Sequence, residues 1–250
     1  MQLNKKFLIA GLVAALISGS AVDLTRNTAE AGFDLGGALK DIGKDAVKKS
    51  LNIDVEGMQD RKQQMVLNLS RAAICYAEAA IDVSEALNLN PEQRAQMQAA
   101  LTGLKNNKTD LGSMKLVGET TKLSKEELET ATRNLMDSGD QAKIEQANEL
   151  IKKSKTARSA AGLYQGLATR DITMLISNSV KAMAGGDLGD KLKSIQEISE
   201  VANAAKAVNN IINDNRKIMK EALKAYEKKN NIKDVSEKDA KKQMEDAGLE

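Results

Sequence analysis

The stretch that decides the fold is residues 144–179, IEQANELIKKSKTARSAAGLYQGLATRDITMLISNS. One stripe of mainly apolar residues, which we call a seam, runs along it at helical spacing. Every member except the two serines is apolar or aromatic. The members are Ile144, Ala147, Ile151, Ser154, Ala157, Ala161, Tyr164, Ala168, Ile172, Leu175 and Ser179. Ten steps cover 35 residues, and a sustained repeat of about 3.5 residues is typical of helices that pack as in a coiled coil. The stretch therefore predicts one long helix.

A second seam of the same kind follows along the chain. Its members are Leu188, Leu192, Ile195, Ile198, Ala202, Ala205, Val208, Ile212, Asn215, Met219, Ala222 and Tyr226. Between the two seams, Gly185-Gly186 stands where glycines end helices, and Asp187 is a good N-cap for the next one. We predict that residues 141–229 form a long antiparallel hairpin, because so tight a turn folds the second helix back on the first.

The residues before this hairpin also have helical patterns. Over 56–89 the seam is Met58, Met65, Leu69, Ala72, Tyr76, Ala79, Val83 and Leu87. Asn90 and Pro91 suit the start of a helix over 91–105, whose inward residues are Met97, Leu101 and Leu104. Residues 106–122, rich in Asn, Thr and Gly, are expected to be a loop, and a shorter helix follows over 124–136. The predicted fold class is all-α, an elongated helical bundle with a long antiparallel coiled-coil-like hairpin.

Composition excludes several chemistries. The chain has 250 residues with one Cys, one Pro, no His and no Trp. Without His there is no His-based triad and no His metal site, and one Cys excludes zinc clusters and intrachain disulfides. No sequence motif for a nucleophile or a desolvated acid–base pair stands out. We therefore expect a protein that is not an enzyme, with no catalytic, cofactor-binding or metal-binding residues, no cofactor and no evident small-molecule substrate.

The N-terminus has the features of an export signal. Lys5 and Lys6 precede an apolar run that ends in small residues, and Ala29-Glu30-Ala31 has the Ala-x-Ala form of a cleavage site. We predict a signal peptide over 1–31, cleaved after Ala31, with an earlier exit near Ala21 and an uncleaved N-terminal anchor as the alternatives. The mature protein would be periplasmic or extracellular, and its near-neutral charge argues against nucleic acid as a partner.

Two flanking segments complete the predicted organisation. Residues 32–53 have helical apolar spacing weakened by three glycines, so a short, labile amphipathic helix is expected there. Such a helix could lie on a membrane surface. Residues 230–250 are polar, and we expect a loosely attached tail with a short helix after Ser236. The predicted domains are thus the signal peptide 1–31, a helical bundle domain 32–229 and the tail 230–250.

Four local features leave alternatives open. Asn52, Asp54, Glu56 and Gly57 are similar to the first half of a calcium loop, but Gln63 stands where the loop needs Glu, so a polar turn is favoured. Cys75 is either a small core residue or a link between chains. The pair Gly162 and Gly166 marks either close packing or a helix break. Asn215 either fixes the register of the seam or faces water.

One resemblance bears on function. Leu89-Asn90-Pro91-Glu92-Gln93-Arg94 resembles the Leu-Thr-x-x-Gln helix starts of the small periplasmic Spy-type chaperones, and Leu123-Ser124-Lys125-Glu126-Glu127 is a looser second copy. The resemblance implies a periplasmic holdase-type chaperone. Composition and seams favour an exported structural or interaction protein of the cell envelope that acts through helix–helix surfaces. A protein partner or self-association is expected, and a membrane-surface contact through 32–53 is the third alternative.

Overall fold

The computed structural model describes residues 54–184, 189 and 191–246, and 87% of these residues are helical with no strand among them. The helices are α1 (Val55–Ala86), α2 (Pro91–Asn106), α3 (Leu111–Thr120), α4 (Lys125–Asp137), α5 (Gln141–Ala184), α6 (Lys191–Lys229) and α7 (Glu237–Asp246). They pack against one another, so the all-α prediction is confirmed. The predictions for 1–53 and for the turn at Gly185-Gly186 lie outside the described residues.

Helix α1 is the central element of the bundle. It packs against α2, α3, α5 and α6. The seam predicted for it is buried throughout. However, α1 is buried on more than one face, because Ala73, Ile74, Cys75, Ala77 and Ala80 are also within the core. The sequence predicts one buried seam; the small side chains on the other faces instead let several helices approach the same segment.

The most extensive helix–helix contact joins α1 and α5. Three side-chain contacts fix its direction: Arg61 with Asp171, Arg71 with the ring of Tyr164, and Asp82 with Lys153. As the number rises along α1 it falls along α5, so the two helices are antiparallel. Buried alanines on both helices permit a close approach of the backbones, and the resulting contact area replaces the large side chains that the chain lacks.

Helices α5 and α6 bury both predicted seams. In α5 every predicted position is buried except the half-buried Ile144, and in α6 every described position is buried except Leu192. Tyr226 hydrogen-bonds to Asn148, and Gln165 hydrogen-bonds to Asn209, again with opposite chain directions. These contacts fit the predicted antiparallel hairpin. At about 1.5 Å per residue, α5 is about 66 Å long and α6 about 58 Å, which agrees with an elongated bundle.

The prediction of a loop over 106–122 is wrong, because α3 lies within it. Asp110 caps this helix by accepting hydrogen bonds from the backbone N–H groups of Gly112 and Ser113. Gly118 lies so close to α6 that an added Cβ would come within 2.9 Å of Ile211 Cγ2. The glycines that weaken the helical pattern in the sequence are thus offset by a cap and by tertiary packing.

The C-terminal segment packs against the bundle through a small number of residues. A short helix is present, α7, and it packs mainly on α5. Ala240 is fully buried, and Ile232 and Val235 pack partly against the core. Ser236 caps α7 by accepting a hydrogen bond from the N–H of Asp239. The short helix expected after Ser236 is therefore present and lies against α5.

Candidate functional site

A group of paired charges, buried except for Asp234, lies where α5, α6 and the C-terminal segment meet. Arg158 and Glu227 form an ion pair with their side chains only 6% and 9% exposed. Lys155, one turn before Arg158, contacts the other oxygen of Glu227 at 2.9 Å and Asp234 at 2.7 Å. Lys155 Nζ also donates to the carbonyl of Ile232 at 3.0 Å. We call these four charged side chains the charge cluster.

The charge cluster is electrically balanced and its lysine is saturated. Two cations face two carboxylates, and the three protons of the Lys155 ammonium meet three acceptors. Partial burial acts to lower the pKa of Lys155, but hydrogen bonds to Asp234 and Glu227 raise it overall. The same Lys155 lowers the pKa of the exposed Asp234. Both groups therefore stay charged, and the cluster supplies an electrostatic tie between helices rather than a general acid or base.

A second polar group crosses the α5–α6 contact. Gln165 Oε1 accepts a hydrogen bond from Arg216 Nε at 2.7 Å, and its Nε2 donates to the carbonyl of Asn209. Asn209 Nδ2 in turn donates to Thr169 Oγ1 at 2.9 Å. The guanidinium of Arg216 lies over Gly162, where an added Cβ would be 3.0 Å from Nη1. Gly162 thus packs closely against a side chain of the neighbouring helix in an unbroken α5, as the close-packing alternative expects, whereas a Cβ added at Gly166 would meet nothing within 4 Å.

Asn215 is buried, and its partner lies on α3. Its Nδ2 donates to the carbonyl of Gly118 at 2.7 Å. The hydroxyl of Tyr76 donates to the carbonyl of Thr121, at the end of the same helix. Carbonyls at a helix C-terminus have no partner within the helix. Asn215 and Tyr76 supply partners for two of them, so the lone polar residue of the α6 seam positions α3.

The remaining singled-out residues have structural roles. Asp54 caps α1 by accepting from the N–H of Gly57 at 2.8 Å, and Gln63 is exposed on the helix, so the calcium-loop pattern is helical from Val55 onward, while Asn52 lies outside the described residues. Cys75 is fully buried and free, and burial raises the pKa of its thiol to about 12. A buried, protonated thiol is a poor nucleophile and does not link chains. Among the described residues, no three acidic or Cys side chains are placed to hold a metal ion.

One buried carboxylate is held less well. Asp82 on α1 contacts Lys153 Nζ at 3.0 Å through Oδ1, while its buried Oδ2 has no hydrogen-bond partner among the described residues. Burial raises the pKa of this carboxyl group. The group lies at the rim of the α1–α5 contact, where Lys153 itself is largely exposed.

The helix starts that carry the chaperone resemblance are ordinary N-caps. Asn90 Oδ1 accepts from the N–H of Glu92 at 2.9 Å, and Ser124 Oγ accepts from the N–H of Glu127 at 3.1 Å. Gln93 does not return to Asn90; its Nε2 donates to the carbonyl of Lys122, which ties the start of α2 to the start of α4. Leu89 and Leu123, which precede the two caps, are both buried.

Sequence reasoning missed the charge cluster. Arg158 follows the seam residue Ala157, and Glu227 follows the seam residue Tyr226. Positions beside a seam are normally exposed to solvent. These positions become buried where α5 and α6 pack together beside the segment that contains Ile232 and Asp234. None of the described helices is long and apolar enough to cross a membrane. Comparison with family models, curated proteins and solved structures found no match to this chain.

Proposed function

We propose that this chain is an exported, non-catalytic helical protein of the cell envelope that acts through helix–helix surfaces. The observation that carries the proposal is that buried polar side chains form contacts between helices. Arg158, Glu227, Asn215 and Gln165 each join one helix to another. Side chains engaged in such contacts between helices serve to hold a scaffold together.

The chaperone alternative receives less support. A holdase needs an apolar patch of substantial size on its surface. The large hydrophobic side chains that are well exposed in the described part of the chain are Leu116, Leu167 and Leu192. They lie on three different helices, α3, α5 and α6, so they favour separate small contacts over one concave client-binding surface.

The export part of the proposal is tested by N-terminal sequencing of the protein recovered from a cell-envelope fraction. The expected first residue is Gly32, or Ala21 or Val22 for the earlier cleavage. Recovery of the chain in the cytoplasmic fraction with Met1 intact would overturn it.

The interaction part is tested by photo-cross-linking in envelope extracts. A photoreactive residue is placed in the full chain at Leu116, Leu167 or Leu192, and at the exposed Lys224 as a polar control. We expect one defined protein adduct at one or more of the three apolar positions and none at Lys224. A smear of many adducts would favour the chaperone, and the absence of adducts at all three would contradict the proposal.

A further inference from the structure

The end of the bundle where α5 finishes and α6 begins extends beyond α1. Arg61, the seventh residue of α1, pairs with Asp171 of the antiparallel α5. The start of α1 is therefore level with about residue 177 of α5. The last seven residues of α5 project about 10 Å past that level, so these final turns lack the cover that α1 gives to the rest of α5.

The projecting end carries apolar side chains that remain partly open to solvent. Leu192 of α6 is 41% exposed, and Val180 and Met183, one turn apart on α5, are half-buried. Tyr226 hydrogen-bonds to Asn148 across the two helices. Leu192 is 34 residues before Tyr226 and Met183 is 35 residues after Asn148, so Leu192 and Met183 are at the same level. We call Val180, Met183 and Leu192 the end patch.

The chain that leads into α1 reaches this end of the bundle. Asp54 has a backbone outside the helical region, with φ −79° and ψ 82°, so α1 does not continue straight back into the residues before it. Leu51 is three residues before Asp54 and lies within about 11 Å of it, since an extended chain spans at most about 3.6 Å per residue. Residues 33–51 have the apolar helical spacing described above, and so short a tether gives them a high effective concentration at the end patch.

We propose that residues 33–51 form an amphipathic helix whose apolar face packs on the end patch and closes this end of the bundle. Removal of apolar side chains from water drives the contact. The apolar face of the segment is then turned to the bundle and not to a membrane surface. Both predicted cleavage sites leave the segment in the mature protein. The inference goes beyond the proposed function and does not depend on it.

The test is photo-cross-linking within the purified full chain. A photoreactive residue at Leu192 should give an adduct inside one chain, and mass spectrometry should locate it in residues 33–51. Leu116 is the matched control, because it is 50% exposed on α3. Helix α3 meets α6 at Ile211, roughly 30 Å along α6 from Leu192. A photoreactive residue at Leu116 should therefore give no adduct with that segment.

Two double variants of the segment distinguish packing from mere nearness. Val47→Ser with Leu51→Ser removes apolar side chains and should abolish the Leu192 adduct. Asp45→Ser with Lys48→Ser changes polar positions without altering the net charge, and should leave the adduct in place.

The inference is overturned if Leu192 gives no adduct with residues 33–51, if its adduct lies only in residues 185–190 or in a second chain, or if the two double variants give equal yields. None of these results bears on the adducts expected in envelope extracts at Leu116 or Leu167. Failure here is therefore distinguishable from failure of the proposed function.

Discussion

The two long contacts of α5 are built in different ways. Toward α1, the contact is made by buried alanines, and its charged pairs, Arg61–Asp171 and Asp82–Lys153, lie at the rim. Toward α6, polar groups lie inside the contact, with Gln165 and Asn209 buried between the helices. The first contact depends on closeness of backbones, while the second depends on specific hydrogen bonds. They should therefore respond differently to changes of volume and of polarity.

Loss of the buried ion pair should have the largest effect. Arg158→Met leaves Glu227 buried with Lys155 as its remaining cation, and we expect the free energy of unfolding to fall by about 3 kcal/mol. The measurement is urea denaturation followed by circular dichroism. Lys125→Met is the control, because Lys125 and Glu221 form an exposed pair at 3.6 Å and should contribute less than about 1 kcal/mol. Equal losses for the two variants would contradict the role given to the charge cluster.

A change of volume should damage the α1–α5 contact. Ala160 is fully buried one turn before Tyr164, whose ring faces Arg71 of α1. Ala160→Leu should destabilise the protein by about 1–3 kcal/mol, since a close-packed site has no room for the added carbons. The same substitution at the exposed Ala204 of α6 is the control, and thermal unfolding is the readout. A melting temperature as high for Ala160→Leu as for Ala204→Leu would show that the helices are not closely packed there.

A change of polarity should damage the contact between α6 and α3. Asn215→Leu removes the donor to the Gly118 carbonyl, and we expect a loss of about 1–2 kcal/mol because that carbonyl is left buried without its partner. Asn203, which is exposed on α6 and donates to the carbonyl of Ser199, is the control; its replacement by Leu should change stability by no more than about 0.5 kcal/mol. A more stable Asn215→Leu variant would instead indicate that the seam prefers an apolar residue.

The smallest expected effect concerns pH. The folded-state pKa of Asp82 is raised, so its ionised form is penalised on folding, and that penalty disappears as pH falls through this pKa. The melting temperature of Asp82→Asn relative to the unmodified chain should therefore decrease from pH 7 toward pH 3.

Asp110 provides a control of opposite sign. The Ser113 hydroxyl and backbone N–H groups lower its pKa, so its stabilisation is present at neutral pH and lost on acidification. Asp110→Asn should be less stable than the unmodified chain at pH 7, and the difference should shrink as pH falls. Parallel pH trends for the two variants would refute the assignment of Asp82 as a penalised carboxylate.

The sequence is a good guide to the seams and a poor one to their partners. The 3.5-residue repeat places Ala161, Ile198 and Met219 on buried faces, and all three are buried. It does not indicate which helix covers them, because a stripe carries no information about its neighbour. Alanine adds to the difficulty, because it occurs on both buried and exposed faces of helices. In α1 alanines are buried on several faces, so the one predicted seam includes only part of the surface that other helices cover.

Tertiary context accounts for the other differences. The glycines of 111–120 lower helix propensity, but the cap at Asp110 and the Asn215 hydrogen bond stabilise α3. The charge cluster escapes detection for a related reason. Lys155 and Arg158 lie in a basic run that is typical of a solvent-exposed helix face. Their contacts with Glu227 of α6, and that of Lys155 with the C-terminal segment, appear only in the folded chain.

The antiparallel pairing of α1 with α5 is the central claim, and cross-linking tests it most directly. In a Cys75→Ser chain, cysteine pairs are introduced at 61 with 171 and at 82 with 153, and separately at the crossed pairs 61 with 153 and 82 with 171. A short bis-maleimide should link the first two pairs within one chain and neither crossed pair, whose members lie about 30 Å apart along the helices. Linkage of the crossed pairs, with none at 61 and 171, would contradict the account.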